Sequence, residues 1–304
     1  MKRNAGFLIA FALLFIWFSC GKKGTEPKGP PVPTITDGPR ALDVRTNSAE
    51  IYWKTDVEAN SVVLFGTESA TYTDSVVDAL QDTLHSVALQ NLKSNTTYYY
   101  VVASENKSGR VQSGENQFVT AMSFSDLVQA AWNAYEKGQY SQAIQYFNQV
   151  IAEHPFWADA YNGLGWCYAS GAIDSLDAAE KNFSDAIYHD PKLAEAYAGR
   201  GFVYLSQKRY NSAVADFQKC LELQPDFTFS HNSAVDSQDV HLGLAEAYFY
   251  RQELDKAQQE LDYLEPDNGL SPNDTATWVV DGTSYATYPA ALLAWLEKLK
   301  SVIG

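Results

Sequence analysis

The chain is poor in cysteine and in basic residues, and it lacks the common catalytic motifs. Its three cysteines are too few for a disulfide-dense scaffold, and without a Cys-x-x-Cys pair they do not predict a four-cysteine zinc site. Lys and Arg number 22 against 37 Asp and Glu. This balance argues against nucleic-acid binding, because affinity for phosphate backbones comes mainly from basic side chains.

Sequence motifs for nucleophilic, nucleotide-binding and metal-binding sites are also missing. The chain has no Gly-x-Ser-x-Gly, no phosphate-binding loop and no Gly-x-Gly-x-x-Gly, and none of its five histidines pairs with another His or Cys at helical spacing. We therefore expect a protein that is not an enzyme and that uses neither a cofactor nor a metal.

The N-terminus carries the features of an export signal. A short basic start precedes the almost wholly apolar residues 5–19, and Cys20 follows. This arrangement resembles a bacterial lipoprotein signal, although Trp17 replaces the leucine usual in that family. The resemblance implies that residues 1–19 are a cleaved signal peptide and that Cys20 is acylated, for example by palmitate. The chain is then anchored by lipid in the bacterial cell envelope.

An alternative for the same segment is an uncleaved membrane anchor, since the uncharged run over 4–21 is just long enough to span a bilayer. Under the lipoprotein interpretation, Gly21 is not the aspartate of inner-membrane retention signals, which favours the outer membrane or its periplasmic face. Residues 20–33 are rich in proline and lysine and predict an extended spacer.

Short strand signals separated by turn residues recur over residues 34–121 and predict an antiparallel sandwich of about seven strands. Trp53 and the stretch 92–98 resemble a fibronectin type III module, in which Tyr98 would form the tyrosine corner. The domain is also similar to the small sandwich that precedes the catalytic domain in some purple acid phosphatases, but no metal-ligand cluster of that enzyme follows. Both resemblances imply that Trp53, Tyr98 and Tyr100 are core residues.

A repeated motif occupies residues 124–267. An alanine is followed four residues later by an aromatic residue and then by a proline, with Phe147, Phe183 and Phe217 as the successive aromatics. A weaker fourth copy comes after the non-periodic insertion 228–237. The motif resembles the tetratricopeptide repeat (TPR), which implies an all-α solenoid after the all-β domain. The implied repeats are 124–157, 158–193, 194–227 and 238–267, followed by a hairpin and a C-terminal capping helix in 268–304.

The repeat motif also explains several small residues. Gly165 and Gly201 would let the paired helices approach closely, and the phenylalanines would fill the gaps between repeats. Cys167 and Cys220 fall beside or on packing positions, so we expect both to be inert, buried thiols.

In the repeat family, fixed positions of each first helix line a concave groove. Trp132, Trp166 and Phe202 hold the same position in successive repeats and would form an aromatic ladder; in the alternative interpretation these rings pack as core. The resemblance implies the following binding residues: Trp132, Tyr135, Glu136, Asp159, Asn162, Trp166, Glu195, Phe202, Asp239, Glu246, Phe249 and Tyr250.

The repeat region contains 22 acidic and 9 basic residues, so the groove would favour a protein or peptide that carries basic and apolar side chains. The sequence favours an envelope-tethered interaction scaffold that assembles or localises an envelope complex. The alternative is a glycan- or cell-wall-binding lipoprotein, in which the ladder stacks on sugar rings. A hydrolase is the least favoured, and the sequence does not indicate an oligomeric state.

Overall fold

A computed structural model describes residues 29–170 and 175–303, which form two compact units, one of strands and one mainly of helices. The predicted signal peptide, the lipidation residue Cys20 and most of the predicted spacer lie outside the described residues.

The first unit is an antiparallel β domain with six strands among its described residues. The strands are β1 (Ile35–Leu42), β2 (Ala49–Gly66), β3 (Asp74–Leu89), β4 (Thr97–Asn106), β5 (Gly109–Gln112) and β6 (Asn116–Val119). In order along the sheet, β1 pairs with β2, β2 with β4 and β4 with β5, while β3 also pairs with β2 and β6 with β4.

Strand β2 accounts for the difference from the seven strands expected. The runs 49–54 and 61–66, predicted as separate strands, are one continuous strand with register shifts between them. Its first half pairs with β1, and only its second half pairs with β4. The strand thus changes partners along its length instead of ending at a turn.

The core of the β domain contains the predicted aromatic residues. Trp53 is fully buried, stacks on His85 and donates a hydrogen bond from Nε1 to Ser104 Oγ at 2.9 Å. Tyr98 and Tyr100 are buried as well and pack on Phe118. The prediction that these three aromatic residues belong to the core is confirmed.

Among the described residues after 120, the second unit contains eight successive helices that form four antiparallel pairs. A ninth helix follows a short two-stranded ribbon, in which Asp281 and Gly282 both have positive φ, as the predicted Asp-Gly hairpin requires. The helices are α1 (Phe124–Glu136), α2 (Tyr140–Glu153), α3 (Ala158–Ala169), α4 (Leu176–His189), α5 (Ala194–Ser206), α6 (Tyr210–Leu223), α7 (Ser237–Tyr250), α8 (Leu254–Leu264) and α9 (Tyr288–Ile303).

Fully buried phenylalanines hold successive helix pairs together. Phe183 on α4 lies between Gly165 of its own pair and Gly199 of the next, and Phe217 lies between Gly201 and Gly243 in the same way. A Cβ atom at these glycines would approach the ring closer than 3 Å, so only glycine leaves room for it. The predicted role of the phenylalanines between repeats is confirmed.

Among the helices of the described residues, none is both long enough and apolar enough to cross a membrane.

Candidate functional site: the inner groove of the helical repeats

The first helices of the pairs form one continuous row, because α1 packs on α3, α3 on α5, α5 on α7 and α7 on α9. We call the surface of this row the inner groove. All twelve residues predicted to bind a partner lie on α1, α3, α5 and α7.

Residues 227–236, which we call the connector, join α6 to α7 and cover the inner groove on α1 and α3. The connector is folded on itself, since Phe229 N donates to Val235 O at 2.9 Å and Val235 N to Asn232 O at 2.9 Å. At its end, Asp236 caps α7 by accepting a hydrogen bond from Gln238 N. Hydrogen bonds within the connector and to α7 therefore fix its conformation.

Phe229 is the buried anchor of the connector. Its side chain is fully buried, and its ring stacks on Trp166 with centroids 4.4 Å apart and planes inclined by 18°. The same ring meets Trp132 and Tyr135 edge to face at 6.0 and 5.8 Å. Phe229 thus fills the space between the first two repeats on the inner side.

His231 and Ser230 add polar contacts to the apolar anchor. The His231 imidazole lies flat on Trp132, with centroids 3.7 Å apart and an angle of 3°, and its Nδ1 is 2.9 Å from Glu136 Oε1. Ser230 donates from its backbone N and its Oγ to Glu195 Oε1, at 3.1 and 2.8 Å. The connector therefore contacts helices of three repeats.

These contacts correct the expectation of an exposed aromatic ladder. Trp132 and Trp166 are only 4% and 6% exposed, because the connector lies on them, while Phe202 in the same position is half-buried. Tyr135, Asn162 and Phe249 are also buried, and Tyr250 is exposed. The alternative in which the rings pack as core thus holds for both tryptophans.

Carboxylates and an amide surround the covered part of the groove. Trp132 donates from Nε1 to Asp159 Oδ2 at 2.9 Å, and burial raises the pKa of Asp159 above its ordinary value. Asn162 donates from Nδ2 to Glu195 Oε2 at 3.0 Å. Within the described residues, the buried Asn162 Oδ1 and Trp166 Nε1 have no hydrogen-bond partner.

Beyond the connector, the described residues leave the inner groove uncovered on α5, α7 and α9. A cavity of about 330 Å³ lies between α7 and α9, and an adjoining one of about 280 Å³ lies between α5 and α7. Lys300 and Glu246 line both and form an ion pair at 3.0 Å. The side chains that line one or both cavities include Phe202, Leu205, Asp239, Leu242, Glu246, Tyr250, Leu293 and Lys300.

Sequence reasoning did not find several of these residues. The prediction gives no role to Phe229, Ser230 and His231 in the insertion 228–237, although Phe227 and Phe229 in a short polar connection are a sign of burial. It also treats the helix that contains Leu293 and Lys300 only as a cap, whereas α9 forms one wall of the groove.

The remaining candidates for chemistry are packing residues. Cys167 and Cys220 are free, and the prediction that both thiols are buried is confirmed; burial raises the pKa of both to about 12. In the described part of the chain, no group of three or more His, Cys, Asp or Glu side chains could hold a metal ion.

Three family models match the chain. The model of the N-terminal domain of purple acid phosphatase matches residues 41–120, and two tetratricopeptide repeat models match residues 128–172 and 194–227. The chain contains tetratricopeptide repeats. Its β domain is thus similar to the N-terminal domain of purple acid phosphatase.

Known proteins resemble parts of the chain at low identity. The general transcriptional corepressor ssn6 of Schizosaccharomyces pombe is 28% identical over 103 residues, or 33% of this chain, and the match spans 9% of that relative's length. MamA 41-end from Desulfovibrio magneticus RS-1 is 17% identical with a TM-score of 0.40, covering 47% of this chain and 75% of that one. A thermophilic TPR protein of Thermus thermophilus is 21% identical with a TM-score of 0.38, and the match covers 56% of this chain and 82% of that one.

Proposed function

We propose that this protein is a binding protein that holds an extended segment of a partner protein in the uncovered part of the inner groove. The observation that carries the proposal is the pair of adjoining cavities on α5, α7 and α9, where apolar side chains lie beside the exposed Tyr250. Clefts lined mainly by apolar groups, with a few placed polar groups, are the usual form of a binding site.

The charge of the region supports a basic, apolar partner segment. Acidic residues outnumber basic ones by 22 to 9 over residues 124–267, and Asp239 and Glu246 line the cavities. A basic partner would associate faster at low ionic strength, because the acidic field steers it toward the groove. The alternative of a glycan-binding protein needs exposed tryptophan rings that can stack on sugars, and the burial of Trp132 and Trp166 argues against it.

An array of immobilised peptides probed with the full chain tests this function. Tyr250→Ala and Leu293→Glu each alter a side chain that lines the larger cavity, and we expect either to weaken binding about tenfold or more. Tyr188→Ala is the matched control, since Tyr188 on α4 is 79% exposed and lines neither cavity. Equal binding by all three variants and the wild type would contradict the proposal.

We propose further that the protein is tethered to the bacterial cell envelope through acylated Cys20, at the outer membrane, and helps to assemble or localise a complex there. The apolar stretch before Cys20 and the spacer after it support this proposal. Expression with a labelled fatty acid tests it: Cys20→Ser should abolish labelling and release the protein from membranes, while Thr25→Ala should change neither. Membrane retention of unlabelled Cys20→Ser would instead favour the uncleaved anchor.

A further inference from the structure

The connector occupies the groove of the first repeats in the manner of a bound peptide. An aromatic anchor, Phe229, is inserted between rings of two repeats, and the adjacent Ser230 uses its backbone N–H and its hydroxyl on Glu195. His231 adds a flat stacking contact with Trp132. Anchors in pockets combined with backbone hydrogen bonds are how grooves recognise peptide segments.

The match between the connector and the groove is incomplete. Asn162 Oδ1 and Trp166 Nε1 are buried without a partner within the described residues, and the Trp166 ring is one on which Phe229 stacks. An unpaired buried acceptor or donor is unfavourable. The connector therefore leaves two polar atoms of α3 unpaired, and a different segment that reaches them with an N–H and a C=O group would pair with them.

The charges around His231 specify which segment would bind better. Glu136 contacts the imidazole, and the carboxylates of Asp159 and Glu195 lie on the adjacent inner faces. Arginine is always charged, stacks on tryptophan and pairs with a carboxylate through a planar fork. An arginine at the position of His231 could contact Trp132 and Glu136 together.

We propose that residues 227–236 are an intramolecular ligand of the inner groove, and that a partner segment with an aromatic residue followed two positions later by arginine displaces them. The proposal rests on the proposed function, because it treats the inner groove as a peptide site. It adds a second site on α1 and α3, with its own partner chemistry, that is blocked in the free protein.

Binding of two fluorescent peptides to the full chain, each in competition with the connector, tests the proposal. The first peptide has the sequence of residues 226–235, and the second is the same peptide with the change His231→Arg. The Phe229→Ala protein should bind the second peptide about tenfold more tightly than wild type, because the competing anchor has been lost and the competent fraction rises. Ser233→Ala is the control, since Ser233 is an exposed connector residue, and it should bind like wild type.

The specificity has its own control. In the Phe229→Ala protein, Glu136→Gln should remove most of the preference for the arginine peptide over the histidine peptide, because the carboxylate that pairs with the guanidinium is gone. If the preference is unchanged by Glu136→Gln, the assigned partner chemistry is wrong.

Circular dichroism establishes that each variant is folded. Should Phe229→Ala fail to fold, His231→Ala replaces it, since His231 is only half-buried, and a tightening of about threefold is then expected. Peptide affinity equal to wild type in a folded variant overturns the proposal. That outcome is distinct from failure of the proposed function, which is measured by the effect of Tyr250→Ala on array binding.

Discussion

Asp159 is the residue at which burial and charge conflict most clearly in the groove. It lies in the first turn of α3, accepts a hydrogen bond from Trp132 and has a pKa raised mainly by burial. Glu195 raises this pKa further, whereas Trp132 and His231 lower it. Keeping a carboxylate ionised in this buried position costs the folded state free energy.

We predict that Asp159→Asn stabilises the protein at pH 7 and that this gain shrinks as the pH falls. The folded pKa lies above the unfolded one, so the folded state takes up a proton first, and wild type regains stability between the raised pKa and about 3.8. The asparagine keeps an oxygen acceptor for Trp132 but has no charge. Urea unfolding from pH 7 to pH 4 measures the difference, with the exposed Asp226→Asn as control; a gain that does not vary with pH would refute the argument.

Residue chemistry was only partly predictable from the sequence. The positions of Trp132 and Trp166 in the repeat motif were evident, but whether their rings faced solvent was not, because the side chains that cover them are distant in sequence. Trp53 and Tyr100 were simpler, since alternation within a strand already assigns their side chains to the buried face.

At the scale of elements, the helix pairs are fixed to one another by aromatic rings in glycine-lined spaces. The Phe183 ring lies between α3 and α5, and a Cβ added at Gly199 would be 2.3 Å from its Cζ atom. The fit between neighbouring pairs therefore depends on the absence of one methyl group.

We predict that Gly199→Ala lowers the free energy of unfolding by about 1–2 kcal/mol, because steric overlap with Phe183 exceeds the gain in helix propensity. Chemical denaturation measures this, with the exposed Asn211→Ala on α6 expected to change stability by less than about 0.5 kcal/mol. In a Phe183→Leu background the cost of Gly199→Ala should be smaller. An unchanged cost in that background would mean that the overlap is not its source.

The elements themselves were largely predictable, because a 34-residue motif repeats its packing residues in a fixed order. Two features were not. The prediction divides the continuous β2 at residues 55–60, where polar Asp56, Glu58 and Asn60 alternate with only small or β-branched side chains. The connector carried no periodic signal, and its position is decided by contacts such as His231 with Glu136, which are 95 residues apart in the chain.

At the scale of the whole helical unit, the connector changes how the repeats depend on one another. A solenoid is stabilised mainly by contacts between neighbouring repeats, so its ends open first. Here Glu136 on α1 contacts His231 of the connector, which lies between α6 and α7 in the chain. The first repeat is thereby joined to the connection between the third and fourth.

We predict that the combined change Phe229→Ala and His231→Ala makes amide hydrogens of α1 and α2 exchange faster with solvent, with little change in α8. The double change removes the ring contacts that Trp132 on α1 receives from the connector, a distant part of the chain. Hydrogen–deuterium exchange read out by mass spectrometry measures this, and Ser233→Ala should behave as wild type. Equal acceleration in α8 would indicate general destabilisation instead.

The late place of the connector in the chain has a consequence for biosynthesis. The ribosome produces α1 and α3 well before residue 229. The ring faces of Trp132 and Trp166 that Phe229 contacts therefore stay uncovered while α4, α5 and α6 are made. During that interval the nascent chain presents an aromatic surface that other chains can contact. A product that stops before the connector would keep this surface permanently, whereas the finished protein hides it with a segment of its own.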